Sequence, residues 1–120
     1  MMITHRAYLT IDDSPSPAMD AMTDFFAGND IPALFFCRGD RLAENPQAAV
    51  RAVAKGMTLA NHCYNHKRAS LLSFDEVVTE IERTESLIEQ VHREAGVARA
   101  GKYMRFPHMD RGAAGWIVDY

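Results

Sequence analysis

Short runs of consecutive apolar residues alternate along this chain with longer stretches in which apolar positions recur every three or four residues. The first run, Ala7 to Asp12 (AYLTID), is rich in Tyr, Leu, Thr and Ile and reads as a short buried strand. Ser14-Pro15-Ser16-Pro17 breaks it, and Ser16 is placed to cap a helix with Pro17 in its first position. Met19, Met22, Phe25 and Phe26 then recur at helical spacing as a core stripe, closed by Gly28. Ala33 to Cys37 is continuously apolar, as in a strand covered on both faces. Asn45-Pro46 repeats the cap-plus-proline start, Ala49, Val50 and Val53 supply a buried stripe, and Gly56 stops it. Met57 to Ala60 reads as a third strand. Ser73-Phe74-Asp75-Glu76 has capping-box spacing. Phe74, Val77, Val78, Ile81, Ile88 and Val91 then form one helical face opposite a solvated face of Glu80, Glu82, Glu85 and Glu89, with Gly96 as the end cap. Lys102 to Phe106 reads as a fourth short strand ending at Pro107. The stretch from Arg111 to Tyr120 is ambiguous between element types.

A β-α-β-α-β-α-β order favours an α/β fold of parallel strands joined by right-handed crossovers. In such folds chemistry gathers at the carboxyl ends of the strands. Asp12-Asp13 ends the first strand, His62 and His66 follow the third, and Arg105 and His108 flank the end of the fourth. Register alone therefore puts three polar clusters on one rim.

Their residue types suit a metal site. His62 and His66 are four positions apart, which lets two imidazoles converge on one ion if the backbone turns helically between them. A catalytic zinc usually takes three protein ligands and keeps one position open. The Asp12-Asp13 pair offers the third. Neighbouring strand residues point to opposite faces, so both can serve one site only if the strand stops, as Pro15 implies. One carboxylate would then bind the metal while its neighbour takes a proton from water as general base. A guanidinium such as that of Arg105 would keep the base ionised and oriented. Taken singly, each feature has an ordinary reading: paired surface histidines, a polar turn, a surface arginine. Their coincidence on one rim favours the site. His5 and His92 read as solvent-facing.

The remaining chemistry narrows the setting. A net charge of −3 and an isoelectric point near 5.9 argue against a general nucleic-acid binder. No apolar run has the length of a membrane span, and no secretory signal is legible at the N-terminus, which gives a cytoplasmic expectation. Cys37 and Cys63 do not form a disulfide pattern and read as reduced thiols.

Thr10-Ile11-Asp12-Asp13-Ser14-Pro15 resembles the first motif of the polysaccharide deacetylases, the NodB-homology or carbohydrate esterase family 4 group. His62-Cys63-Tyr64-Asn65-His66 is similar to their second motif, and Arg105-Phe106-Pro107-His108 to their third. The resemblance covers most of the chain. It implies the N-terminal part of a distorted (β/α) barrel of NodB type and a metal-dependent hydrolase that removes N-acetyl or related N-acyl groups from a carbohydrate. It further implies Asp12 as general base, Asp13, His62 and His66 as ligands of a divalent metal, most often Zn2+, and Arg105 as the residue that orients Asp12. Pro107 and His108 would shape the acetate-binding end of a substrate groove.

The departures from the family pattern are specific. Ser14 stands for a usual Gly, Cys63 for a usual Ser or Thr, and His108 for a common Tyr. Cys63 would lose a loop hydrogen bond or add a soft ligand. No segment after His108 matches the family's later motifs, which supply an acidic-aromatic segment and a histidine general acid. Residues 1–120 are thus expected to form a single, incomplete deacetylase-like domain. The expectation covers a fragment, a chain lacking its C-terminal half, or a homo-oligomer that covers the open sheet edge, since a full barrel takes about 250 residues. Two other readings stand beside hydrolysis of an N-acetylated polymer. One is a catalytically impaired metal-binding or assembly module. The other is a deacylase of a non-polymeric amide, such as a lipid-linked aminosugar or a cyclic amide.

Overall fold

The computed structural model describes residues 5–112. Three parallel strands, β1 (Leu9–Ser14), β2 (Ala33–Cys37) and β3 (Thr58–Asn61), lie side by side in chain order. Helix α1 (Met19–Gly28) connects the first pair, and α2 (Gly39–Glu44) and α3 (Pro46–Ala54) the second. A long helix, α4 (Phe74–Ala95), follows β3. Short 3₁₀ turns occupy Ala69–Leu71 and Pro107–Met109.

Residue alternation explains the layering. Ile11, Phe35 and Leu59 stand in register across the sheet and face one way. Phe35 and Leu59 are completely buried, and Met19, Leu42, Val53 and Ile88 from the helices close over them. A second, smaller cluster of Cys63, Ala69, Val77 and Ile81 lies under the segment that follows β3, with Leu72, Met104 and Phe106 against it. Phe36 points to the other side of the sheet by the same alternation and lies beneath the site.

The capping box predicted at Ser73 forms: Ser73 Oγ accepts from Glu76 N and Glu76 Oε1 accepts from Ser73 N. Gly96 ends α4 in the left-handed region at φ 68°, which a residue without Cβ adopts at no steric cost.

Several expectations are corrected. Helix α1 starts at Met19, not Pro17; Ser16 caps only loosely, its Oγ accepting from Ala18 N at 3.3 Å. Phe25 leaves the core stripe at 61% exposure, while Phe26 packs inward. Among the described residues, the fourth strand reduces to one parallel bridge, Asn61 to Met104, held by Asn61 N to Tyr103 O (2.8 Å) and Arg105 N to Asn61 O (2.9 Å). Helix α2 was not foreseen, because GDRLAE has too few apolar positions to show a period. Two residues expected in water are buried: Glu80, and His92, whose Nδ1 lies 3.0 Å from Val97 O. Glu85 and Glu89 are not free on a solvated face either, since both bind Arg99. Residues 113–120, most of the ambiguous stretch, lie outside the described residues.

Candidate metal centre

Strand β1 stops before Pro15, as expected, but it runs through the Asp pair to Ser14 rather than ending at Asp12. The two carboxylates part because the ladder is irregular between Ile11 and Ser14, and Asp13 takes a left-handed φ of 62°. A bulge of this kind re-aims one side chain without ending the strand. The carbonyl of Asp13 accepts from the Arg41 guanidinium, and Ser14 O accepts from Arg38 N at 2.9 Å. The start of α2 therefore holds the bulge.

His62 is set by main-chain contacts. Its N–H donates to Cys37 O (2.8 Å), and its Nδ1 lies 2.7 Å from Arg105 O. A carbonyl only accepts, so Nδ1 carries the proton and Nε2 presents a lone pair. The ring is 2% exposed and meets Phe36 edge-on, with centroids 6.4 Å apart.

His66 arrives differently. The expected helical turn between the histidines is absent: Cys63 and His66 both adopt φ of 62°, and residues 62–66 form an irregular loop. The loop is fixed by α2, whose Gly39 and Asp40 N–H groups donate to Cys63 O (2.9 Å) and Tyr64 O (2.8 Å). Only glycine fits at 39, because a Cβ there would run into the Tyr64 ring and Thr84 Oγ1. Asn61 Oδ1 accepts from Cys63 N at 2.9 Å, so the side chain before His62 restrains the loop after it.

Asp13, His62 and His66 thereby converge, with ligand atoms all within 4.8 Å of one another. Asp13 Oδ1 is 3.6 Å from His62 Nε2 and 3.2 Å from His66 Nε2. That oxygen is buried and accepts no hydrogen bond among the described residues. Burial lowers the His66 pKa first; Asp13 opposes this, while His62, His108 and Arg38 push the same way as burial, leaving the net direction downward. A neutral ring is the ligating form. A buried, unpaired carboxylate oxygen facing imidazole nitrogens is costly alone and satisfied by a cation, so this donor set fits a divalent metal.

Beside this cluster, Arg105 Nη1 donates to Asp12 Oδ1 at 2.7 Å and approaches Thr10 Oγ1 at 3.4 Å. The guanidinium carbon stands 4.2 Å from the centre of the Phe36 ring, which fixes its plane. Pro107 is buried. His108 is exposed, with its ring centroid 4.6 Å from that of His66, but contributes no atom to the three-ligand cluster.

Cys63 adds no ligand to that cluster. It is 4% exposed, and burial, then the charge of Glu80, pushes its thiol up to about 12. It packs as a small apolar group. Sequence reasoning missed Arg38, Arg41, Phe36, Asn61, Asn65 and Glu80. Only Asn61 and Asn65 carried a signal, as polar residues flanking a histidine pair in an otherwise apolar neighbourhood.

With this geometry in hand, known proteins provide a comparison. A sequence model described as polysaccharide deacetylase matches residues 3–114. The chitooligosaccharide deacetylase of Rhizobium leguminosarum bv. trifolii is 29% identical over 97 residues, which cover 80% of this chain and 45% of that protein. Among solved structures, the peptidoglycan deacetylase PdaC from Bacillus subtilis superposes with a TM-score of 0.78 at 26% identity, over 93% of this chain and 52% of its own. A family 4 carbohydrate esterase from Streptomyces lividans, in complex with acetate, gives a TM-score of 0.79 at 30% identity, over 92% and 55% respectively. The chain thus spans about half the length of the relatives it matches.

Proposed function

The chain belongs to the polysaccharide deacetylase family, and from that premise we propose that its site serves hydrolysis of an N-acetyl group on a carbohydrate, with a divalent metal, zinc, held by Asp13, His62 and His66. The observation that carries this reading is the unpaired, buried Asp13 Oδ1 between two imidazole nitrogens, beside a second carboxylate already engaged by an arginine. A divalent cation held there supplies Lewis acidity, polarising the amide carbonyl and acidifying water.

The protein's own residues divide the remaining work. Asp12 takes the proton of the attacking water as general base. Arg105 orients Asp12, and it is itself fixed by Thr10 and Phe36. The Nδ1 contact to Arg105 O keeps the His62 lone pair directed at the centre. The segment of Pro107 and His108, whose exposed His108 ring stands beside His66, would shape the side of the site where the acyl group sits. The relatives' printed names make chitooligosaccharide-type and peptidoglycan-type oligomers the first substrates to try.

The test is acetate release from both oligomer types by zinc-loaded protein, compared with Asp12→Asn. Loss of about 100-fold or more in rate with zinc affinity retained is expected. Equal rates in the two proteins would overturn the role of Asp12. Zinc binding with background hydrolysis throughout would favour the metal-binding module over the enzyme.

A further inference from the structure

The second imidazole hangs on a loop, and its position needs an explanation that backbone pairing does not supply. Apart from the contacts of the His66 ring itself, the nearest grip on its segment among the described residues is at its neighbour Asn65. The main-chain N–H of Asn65 donates to Glu80 Oε1 at 3.3 Å. A carboxylate only accepts, so the Asn65 amide is oriented with its nitrogen toward Glu80. Nδ2 then donates to Oε1 at 2.5 Å and to Oε2 at 3.3 Å.

Glu80 is 8% exposed on α4, a helix that otherwise buries apolar residues and Thr84 on this side. A carboxylate at such a position is costly unless its oxygens are engaged. Here both face one asparagine. Helix α4 meets the loop at a second point, where the Arg83 guanidinium covers the Tyr64 ring at 3.7 Å. The loop is thus gripped by two helices, at Asn65 by Glu80 of α4 and just ahead of it by α2 through Cys63 O and Tyr64 O.

We propose that Glu80 is a positioning residue for the metal centre, acting through Asn65 to hold the left-handed backbone of His66 so that its Nε2 faces Asp13. The inference rests on the metal reading above but goes beyond its ligands. Groups that hold metal ligands in place commonly contribute about 10- to 100-fold in metal affinity. The Arg105 carbonyl meets the His62 ring directly, whereas the Glu80–Asn65 contact would act on His66 through the main chain one residue before it.

The test is Co2+ binding to the 120-residue chain, followed by visible d–d absorption and competition with a chelating indicator. Glu80→Ala is expected to weaken Co2+ binding about 10- to 100-fold and alter the d–d band of the saturated protein. Asn65→Ala, which leaves α4 untouched, is expected to do the same. The double variant should lose little more than either single one, because both remove one interaction. Glu80→Gln retains an accepting oxygen and should recover most of the affinity. A purely structural role for Glu80 would lower thermal stability in chelator yet leave Co2+ affinity and spectrum of the folded variant unchanged; that outcome, or fully additive losses, overturns the proposal. Should Glu80→Ala fail to fold, Asn65→Ala with wild-type Co2+ affinity overturns it by itself. Failure of the unaltered chain to bind Co2+ sinks the metal reading along with it, whereas normal binding in the unaltered chain and both variants sinks only the role of Glu80.

Discussion

The two histidines of the centre are held by different kinds of structure. His62 continues a strand: its ring is buried, and its two polar contacts run to main-chain carbonyls of neighbouring segments. His66 is 23% exposed, has a left-handed backbone, and depends on a loop gripped by side chains and helix ends. The first is therefore part of the core and the second is an attachment to it. Two residues proposed as ligands of one ion can thus differ widely in what their loss does to the fold.

The sharpest way to break this comparison is to remove each ring in turn. Denaturant titration in chelator should show His62→Ala losing about 2–4 kcal/mol, since a buried ring and its hydrogen bond both go. His66→Ala should lose less than about 1 kcal/mol. Metal affinity should collapse in both. Equal stability losses would show that the two ligands are not differently built.

Gly39→Ala strikes the loop without touching a ligand. The added methyl would meet the Tyr64 ring and Thr84 Oγ1, so a stability loss of about 1–3 kcal/mol is expected. Metal affinity should fall as well, because the loop reaching His66 must shift while the His62 contacts stay. Unchanged affinity would show that the loop has slack.

A milder probe uses pH on the His62 side. Asn61 Nδ2 donates to Glu85 Oε1 at 3.0 Å, and Glu85 in turn binds Arg99. Burial alone would raise the Glu85 pKa, but Arg99 and Asn61 outweigh it and hold the carboxyl below its usual range. A depressed folded-state pKa gives stability that is fully present above the unfolded value of about 4.3 and lost as pH falls through the lower folded one. Arg99→Ala should flatten that acid limb and destabilise the protein at neutral pH. An unchanged limb in urea titrations between about pH 3 and 5 would dismiss the linkage.

The smallest effect is expected from His108→Ala. Its ring touches His66 but supplies no ligand atom, so Co2+ affinity should stay within about 3-fold. A larger loss would promote His108 into the metal centre.

What could be read from the sequence divides along the same line. Apolar runs and caps revealed β2, the capping box of α4 and the rim on which the ligands gather, because these follow from local periodicity. The bulge at Asp13, the left-handed Cys63 and His66, and helix α2 escaped, since each depends on contacts between distant segments. Glu80 was misassigned to solvent for the same reason: its helical phase is intermediate, and its burial goes with contacts to the distant Asn65. The HxxxH spacing singled out a pair that the structure does bring together, but not by the helical turn on which that reading depended.

Residue 105 meets residue 12 across 93 positions of sequence, and its carbonyl also orients His62 from 43 positions away. Contacts of such separation close late, after the entropy of a long loop has been lost. All three proposed ligands are in place along the chain by residue 66, but Arg105, which bonds Asp12 and the His62 ring, arrives only with that last crossing. A folding chain can thus gather its candidate donors early and complete the proposed site only when Arg105 docks.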